Sequence, residues 1–396
     1  MNKFHFVKGG AERYVADLTD AQTRAGHEVA PFAMAHPRNA ATPFARYFPP
    51  EVDFDGPAAR SLGVAARIIY STEAAACLDR LLRDWRPDVA HLHNIAHQLT
   101  PSILHVLKRH RVPVVQTLHD YKIACPSYLF LDHGAICERC RGGRFYEAAR
   151  RRCHRNSFAA GVVLATEAYV HRALRSYDVV SRFLCPSEWM RDTMARHGLP
   201  AAKLTHLPYC VPAAHYCPAE GVGEDVLYAG RLSREKGLGT LLAALRLLPG
   251  ARVMVAGEGP ERAALEAAQA EGVAVTLLGY LSGDALHEAV RRARVVVVPS
   301  EWYENLPFAV LEAMALGRPV VGARIGGIPE LVEHGVTGYT FAPRDVEGLA
   351  QALARVLADG PAAAMQGHTA RARIVADFSP DVHLTRLHEI YETAAA

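Results

Sequence analysis

Short β-branched runs alternate with helix-length amphipathic segments along almost the whole chain, and this rhythm constrains the fold more than any other feature. In the first half the runs occupy 28–34, 88–93, 112–118, 179–185 and 203–207. In the second they occupy 225–229, 252–256, 273–278, 294–298, 319–323 and 338–341. Between them lie segments such as 11–25, 240–247 and 261–270. Strands that are apolar on both faces and separated by helices read as parallel sheets covered on both sides, the doubly wound α/β class. A chain of 396 residues has room for two such domains. The expected division is 1–215, 216–375 and a terminal segment 376–396, with the stretch 208–224, rich in Pro, Gly and Ala, as linker. Half of the residues are hydrophobic and 21% are charged, which excludes disordered, collagen-like and coiled-coil classes. Doubly wound folds bind ligands beyond the carboxyl ends of their strands, so chemistry is expected in the cleft between the two domains.

The formal net charge of +3 hides an asymmetry. Residues 1–215 carry 28 Lys and Arg against 19 Asp and Glu, a net of +9; the rest carry 16 against 22, a net of −6. A basic half joined to an acidic half suggests an anionic partner for the first, set against ordinary surface scatter. No apolar run approaches the roughly 20 residues of a spanning helix. The start, Met1-Asn2-Lys3-Phe4-His5-Phe6, has no signal-peptide core, so a cytoplasmic chain is expected, with peripheral membrane attachment left open. Only seven residues precede the turn at Lys8-Gly9-Gly10, and the chain reads as short by most of one N-terminal strand.

Two stretches of the second half carry phosphate and sugar chemistry. Residues 226–237 read as strand, glycine turn at Gly230, then the cations Arg231 and Lys236 before a helix. Arg offers a planar fork of donors and Lys a point charge, both suited to a departing diphosphate. Downstream, Glu304 and Glu312 stand eight positions apart, with Asn305, Leu306 and Pro307 between them at the start of a helix. This places Glu304 before the helix, near its positive end, and Glu312 about one and a half turns inside. The unpaired N–H groups of a first turn make an anion site, and carboxylates beside it can accept hydrogen bonds from sugar hydroxyls. As isolated motifs, both also read as a solvated turn and a capping glutamate.

Together, Gly9-Gly10-Ala11-Glu12-Arg13, Gly230-Arg231 with Lys236, Glu304 through Glu312, and Gly326-Gly327-Ile328-Pro329-Glu330 resemble glycosyltransferase family 4. The resemblance spans essentially the full length. It implies a GT-B fold, α/β with two Rossmann-like domains facing a cleft, and a retaining transferase dependent on a nucleoside diphosphate sugar. It implies that Arg231 and Lys236 hold the diphosphate, that Glu312 takes the donor ribose and that Glu304 contacts the transferred sugar. The backbone from Asn305 through Leu306 to Pro307 would help. Gly10, in a loop that borders donor phosphate and acceptor in the family, would let the backbone approach closely. The loop Gly257-Glu258-Gly259 and the backbone near Tyr280-Leu281 resemble the walls of the base pocket. The last helix would cross back to the first domain. His119, directly after the run 112–118, resembles the family histidine that binds a hydroxyl of the reacting sugar.

Eight cysteines are present, and Cys125, Cys137, Cys140 and Cys153 fall within 29 residues. Four thiolates can close a structural zinc site; free thiols and redox or disulfide use are the alternatives. Around them lie Arg139, Arg141, Arg144, Arg150, Arg151, Arg152 and Arg155, which suit an anionic acceptor or an anionic lipid surface, or form a solvated face. Aromatics are not interleaved with them, so nucleic acid is not an expected partner. Asp53-Phe54-Asp55 matches a metal signature of another glycosyltransferase fold but has no strand before it, so no catalytic metal is expected. The expected activity is transfer to a hydroxyl of a glycan or lipid-linked acceptor, in cell-envelope or exopolysaccharide synthesis. The rivals are a phosphorylase or epimerase of the same fold and a non-catalytic nucleotide-binding scaffold.

Overall fold

Val114-Val115-Gln116-Thr117 is buried at every position, and so is Val253-Met254-Val255-Ala256. Such runs cannot sit at a half-solvated sheet face; they need helices on both sides. The computed structural model, which describes residues 1–52 and 62–395, builds two units on strands of this kind. One comprises Met1–Pro208 with His383–Ala396, the other Tyr209–Val382. Asp53 and Asp55 lie outside the described residues.

The strands of the first unit are β1 (Ala90–Leu92), β2 (Val114–Thr117), the small hairpin β3 (Leu131–Asp132) and β4 (Ala135–Ile136), β5 (Arg182–Cys185) and β6 (Leu204–His206). Among the described residues its sheet has the order β1-β2-β5-β6, parallel throughout. The expected strand at 28–34 is not a regular one. Its backbone instead makes single bonds to the polar start of the chain, Asn2 N–H to Phe32 O and Met34 N–H to Lys3 O. Lys3 in turn donates to Asn94 O. The side chains at Asn2, Lys3 and His5 give this edge little apolar surface to bury, so the ladder stays fragmentary.

The second unit carries β7 (Asp225–Ala229), β8 (Val253–Ala256), β9 (Val275–Gly279), β10 (Ala293–Val298), β11 (Val320–Ala323) and β12 (Gly338–Phe341). Its parallel order is β12-β11-β10-β7-β8-β9. The chain starts at the central strand β7, winds outward through β8 and β9, then returns to β10 on the other side of β7. The direction of winding reverses between β7 and β10, and the loops leaving their carboxyl ends diverge there to leave a crevice. Leu311, Ala313 and Met314 of the helix Phe308–Ala315 are completely buried. Among the described residues, no helix is long and apolar enough to cross a membrane.

The loop after β7 is held by Gly237, at φ 75°, whose missing side chain leaves room for the Pro299 carbonyl; a Cβ there would lie 1.8 Å from that oxygen. Gly237→Ala is therefore expected to lower the unfolding free energy by about 1–3 kcal/mol, from the strained φ and the clash. Urea unfolding monitored by circular dichroism reads this as a lower midpoint at unchanged slope. An unchanged midpoint would mean that the two loops separate without cost.

Candidate functional site

In the second unit, the crevice between β7 and β10 collects most of the expected donor residues. Lys236, in the turn Arg234–Lys236, places Nζ 2.7 Å from Glu304 Oε1, and Ser300 Oγ donates to the same oxygen at 2.6 Å. The Glu304 side chain is only 6% exposed, and Lys236 also lies over the Trp302 ring, 5.1 Å from its centroid. Burial alone would raise the Glu304 carboxyl. The Lys236 charge and the hydrogen bonds from Lys236 and Ser300 prevail, holding it below its ordinary value of 4.5. Glu304 is thus an ionised carboxylate in a buried place.

Its backbone is equally constrained. The Glu304 carbonyl accepts from Gly327 N–H at 2.8 Å, and Gly326, at φ 58°, approaches so closely that a Cβ would lie 2.0 Å from that oxygen. The Gly326-Gly327 pair therefore positions the glutamate that precedes the helix. Asn305 and Leu306 are buried beside it, and the Asn305 amide reaches the Tyr209 hydroxyl at 3.5 Å. Pro307 is the N-cap rather than the first helical residue and has no N–H, so the first donors offered by the helix are those of Phe308 and Ala309. Glu312 is half-buried in the following turn.

Arg231 is not joined to this pair. Its guanidinium is 59% exposed and is turned to Glu235, 2.5 Å away, which also accepts from Ser233 Oγ. The loops after β8 and β9 close around the same turn. Gly230 N–H donates to Ala256 O, Leu232 N–H to Glu258 O and Gly257 N–H to Gly279 O. Tyr280, at the end of this group, is 67% exposed.

In the first unit, His119 follows β2 and lies beside a cavity of about 150 Å³ lined by Lys3, His93, His97, Asp120 and Lys122 among others. Its Nε2 is 3.1 Å from His93 Nδ1, and their rings are 5.3 Å apart. His93 in turn lies 4.2 Å from His91, whose Nε2 meets Thr117 Oγ1 and whose Nδ1 meets the Tyr391 hydroxyl, both at 2.7 Å. Burial pushes His119 down to about 3, with the Lys3 charge adding to it, and burial also holds His91 and His93 well below the usual range. All three are neutral hydrogen-bonding groups at physiological pH. Gly10 opens the helix Gly10–Arg24, with Gly9 extended before it. From that helix the buried Tyr14 sets its ring against both His93 and His119.

The residues overlooked in the sequence are Ser300, Glu235, His93 and Tyr14. Two had a readable signal. Ser300 stands four before Glu304, and His91-Leu92-His93 alternates around a buried leucine, which sends both imidazoles to one face.

The cysteine-rich segment is an irregular insert after His119. Cys125 and Cys140 are buried, Cys137 and Cys153 half-buried, and all four are free thiols. Burial first, then the neighbouring thiols of Cys125, Cys153 and Cys137, push the Cys140 thiol far up. Burial, then Asp132, Cys137 and Cys125, push Cys153 to about 12. Among the described residues, no three His, Cys, Asp or Glu side chains already share metal-ligand spacing. Part of the arginine cluster is paired locally at the surface. Arg151 pairs with Asp132 at 2.6 Å, Arg150 with Glu147 at 3.5 Å, and Arg141 donates to Arg196 O.

The depressed Glu304 carboxyl makes a signed pH prediction. A folded value below the unfolded one means that the unfolded chain binds more protons between the two. The stabilisation is fully present above the ordinary value and lost as pH falls through the folded one. Glu304→Gln should therefore be less stable than wild type at pH 7, and the gap should narrow steadily below about pH 4.5. Unfolding free energies measured from pH 7 to pH 3 test this; a gap independent of pH would show that Glu304 is not held ionised.

Comparison with known proteins places the chain. A family model described as glycosyl transferases group 1 matches residues 223–359, and one described as glycosyltransferase family 4 matches residues 8–215. Glycogen synthase of Mycobacterium tuberculosis is 32% identical over 321 residues, covering 79% of this chain and 70% of the relative. Sulfoquinovosyl transferase SQD2 of Arabidopsis thaliana is 40% identical over 149 residues, 37% of this chain and 29% of that protein. Among solved structures, sucrose-phosphate synthase from Thermosynechococcus elongatus superposes with a TM-score of 0.71 at 21% identity, covering 99% of this chain and 95% of the other. Anabaena HepE, solved in complex with UDP, gives a TM-score of 0.62 at 19% identity, with coverage of 81% and 82%. The fold is GT-B, and the chain belongs to glycosyltransferase family 4.

Proposed function

We propose that the protein transfers a sugar, with retention of configuration, from a nucleoside diphosphate sugar to a hydroxyl of a glycan or lipid-linked acceptor. The observation that carries this reading is the Lys236–Glu304–Ser300 constellation, with Glu304 and Ser300 buried, at the reversal point of the second sheet. A carboxylate kept ionised by a lysine, beside the open N-terminus of a helix, can take sugar hydroxyls and an anion at once. A relative and a structural neighbour agree with this. HepE was solved with UDP and with UDP-glucose, and the Mycobacterium tuberculosis relative is a glycogen synthase.

In this reading the donor diphosphate lies over the amides of Phe308 and Ala309, with Lys236 and a swung-in Arg231 stabilising the charge that grows as its bond to the sugar breaks. Glu304 accepts hydrogen bonds from the transferred sugar and Glu312 from the ribose, while Tyr280 offers an exposed ring to the base. The acceptor oxygen bonds to the anomeric carbon as the bond to the diphosphate breaks, and its proton passes to the leaving phosphate. In the first unit, the uncharged His119 binds a hydroxyl and moves no proton. The exposed part of the basic insert, with Tyr146 and Phe158 also exposed, suits the anionic headgroup region of a lipid-linked acceptor.

A panel of nucleoside diphosphate sugars, screened by thermal shift and then for turnover, tests the proposal, since a bound donor stabilises the native state. Lys236→Ala is expected to lower kcat/KM by about 100-fold. Glu304→Gln should reduce turnover more than it weakens diphosphate binding. Glu312→Ala should weaken nucleoside diphosphate binding by about ten-fold. Because His119 is neutral, the pH–rate profile should show no limb near 6.5 that His119→Gln abolishes. Failure of every donor to turn over, with diphosphate binding indifferent to Arg231→Ala and Lys236→Ala, would leave a non-catalytic scaffold instead.

A further inference from the structure

The cavity of about 150 Å³ beside His119 is lined wholly by residues of the first unit. Protein interiors are close-packed, and a hole of this size against an interior strand of a parallel sheet is unusual. Gln116 of β2 stands between Leu92 and Phe183 in the ladder and is 5% exposed. It lines the cavity, and its Oε1 meets no hydrogen-bond donor among the described residues. An unpaired buried carbonyl lowers stability, whereas an apolar side chain of the same shape would not. Asp120 lies on the same wall. One of its oxygens accepts the Lys122 N–H at 2.9 Å, and the other has no partner among the described residues. Burial pushes this carboxyl up, against the Lys122 amide and the charges of Lys3 and Lys122. Hydroxyl donors supplied by a ligand would favour the ionised form that burial penalises.

The remaining walls are engaged or rigid. Lys122 Nζ is held by Glu167 at 2.7 Å and by the Pro126 carbonyl at 2.9 Å. His97 and Tyr128 have positive φ, 68° and 57°, with their rings 6.4 Å apart. Such residues persist only where the surroundings over-determine them. Here Gln98 supplies part of that constraint, its side chain exchanging two hydrogen bonds with the Val52 backbone. Lys3 forms no ion pair among the described residues, and its charge acts on Asp120.

These features select a class of ligand. Glu167 meets the charge of Lys122 and Asp120 that of Lys3, so the wall favours neither an anion nor a cation. An apolar ring would leave Gln116 unpaired. A cavity of this volume takes one six-membered ring, and a ring bearing hydroxyls donates to Gln116 and Asp120 while accepting from Lys3. We infer that this cavity seats one uncharged pyranose ring of the acceptor, selected by Gln116 and Asp120. The inference rests on the transferase reading above and narrows it: the acceptor, glycan or lipid-linked, presents a neutral sugar to this wall. Because His119 lines the same space, the seat adjoins the first unit's own contribution to the reaction.

Saturation-transfer NMR on the full chain, without donor, tests the seat with methyl glycosides of glucose, galactose, mannose and N-acetylglucosamine. At least one is expected to receive saturation at its ring protons and to keep it when UDP, ADP or GDP is added. Gln116→Met, close to Gln in shape, should weaken that glycoside about ten-fold, with a urea midpoint at or above that of wild type. Unchanged binding in this variant overturns the inference. So does wild type that binds none of the glycosides, that binds inorganic phosphate or methyl glucuronide in their place, or that releases the glycoside to a nucleoside diphosphate. Should Gln116→Met unfold or lose stability, single-deoxy analogues on wild type decide. Removing one hydroxyl should weaken binding about ten-fold at one ring position or more, and equal binding of all analogues overturns the seat. Nucleoside diphosphate binding, read by thermal shift on the same samples, separates the two readings. Where it persists and no glycoside binds, the seat fails and the donor site stands.

Discussion

The contact between Lys236 and Glu304 is the one on which the second unit's site depends. Removing two charges from water costs several kcal/mol each, and a buried pair seldom recovers all of it. The surroundings make the recovery as large as the site allows: Ser300 adds a donor to the same carboxylate oxygen, and Trp302 offers its ring to the ammonium. A purely structural role would be served as well by two apolar side chains. At the reversal point of a parallel sheet the pair instead keeps a buried carboxylate beside a half-buried ammonium. In the function proposed above, an entering diphosphate shares the lysine, and the carboxylate turns toward hydroxyl donors.

The first unit reaches readiness by the opposite route, with buried groups that carry no charge. His383 shows how the tautomers are set. The Pro208 carbonyl can only accept, so His383 donates to it from Nδ1 at 2.9 Å, and its Nε2 accepts the Tyr14 hydroxyl at 2.9 Å. Burial lowers His383 to about 4, which keeps this arrangement intact at neutral pH. Tyr14, so oriented, presents its ring to His93 and His119, while Tyr391 of the same terminal helix bonds His91 and accepts from Gln22. The C-terminal helix is thus part of the scaffold that orients the histidines.

What could be read beforehand follows from what each signal encodes. Runs buried on both faces announce parallel strands through local composition, so β7 to β12 were legible to within a residue or two. The segment 28–34 is a weaker run, with Pro31 inside it unable to donate to a ladder, and composition does not report its partner. The acidic and basic residues of the donor site were legible as types at helix and strand ends. Their pairing was not: nothing local in the chain says that Lys236 faces Glu304, 68 positions away, while Arg231 turns to Glu235, four away. The glycines were legible as turns, whereas the reason for Gly326, room for the Glu304 carbonyl, exists only once the two loops meet.

The chain's charge asymmetry looks different at this level. A surplus of arginine in the first half suggests a broad basic face, but several of these side chains are occupied locally. Arg151 holds Asp132, and Arg150 holds Glu147; Lys122, near the start of the insert, pairs with the buried Glu167 at 2.7 Å. The same arginines thus fold the insert as much as they colour its surface, and the remainder, such as Arg139, Arg144 and Arg152, are exposed to whatever anion approaches. Net charge therefore measures the potential of this half poorly. What matters is which cations are paired inside the insert, because only the unpaired ones contribute to a long-range field.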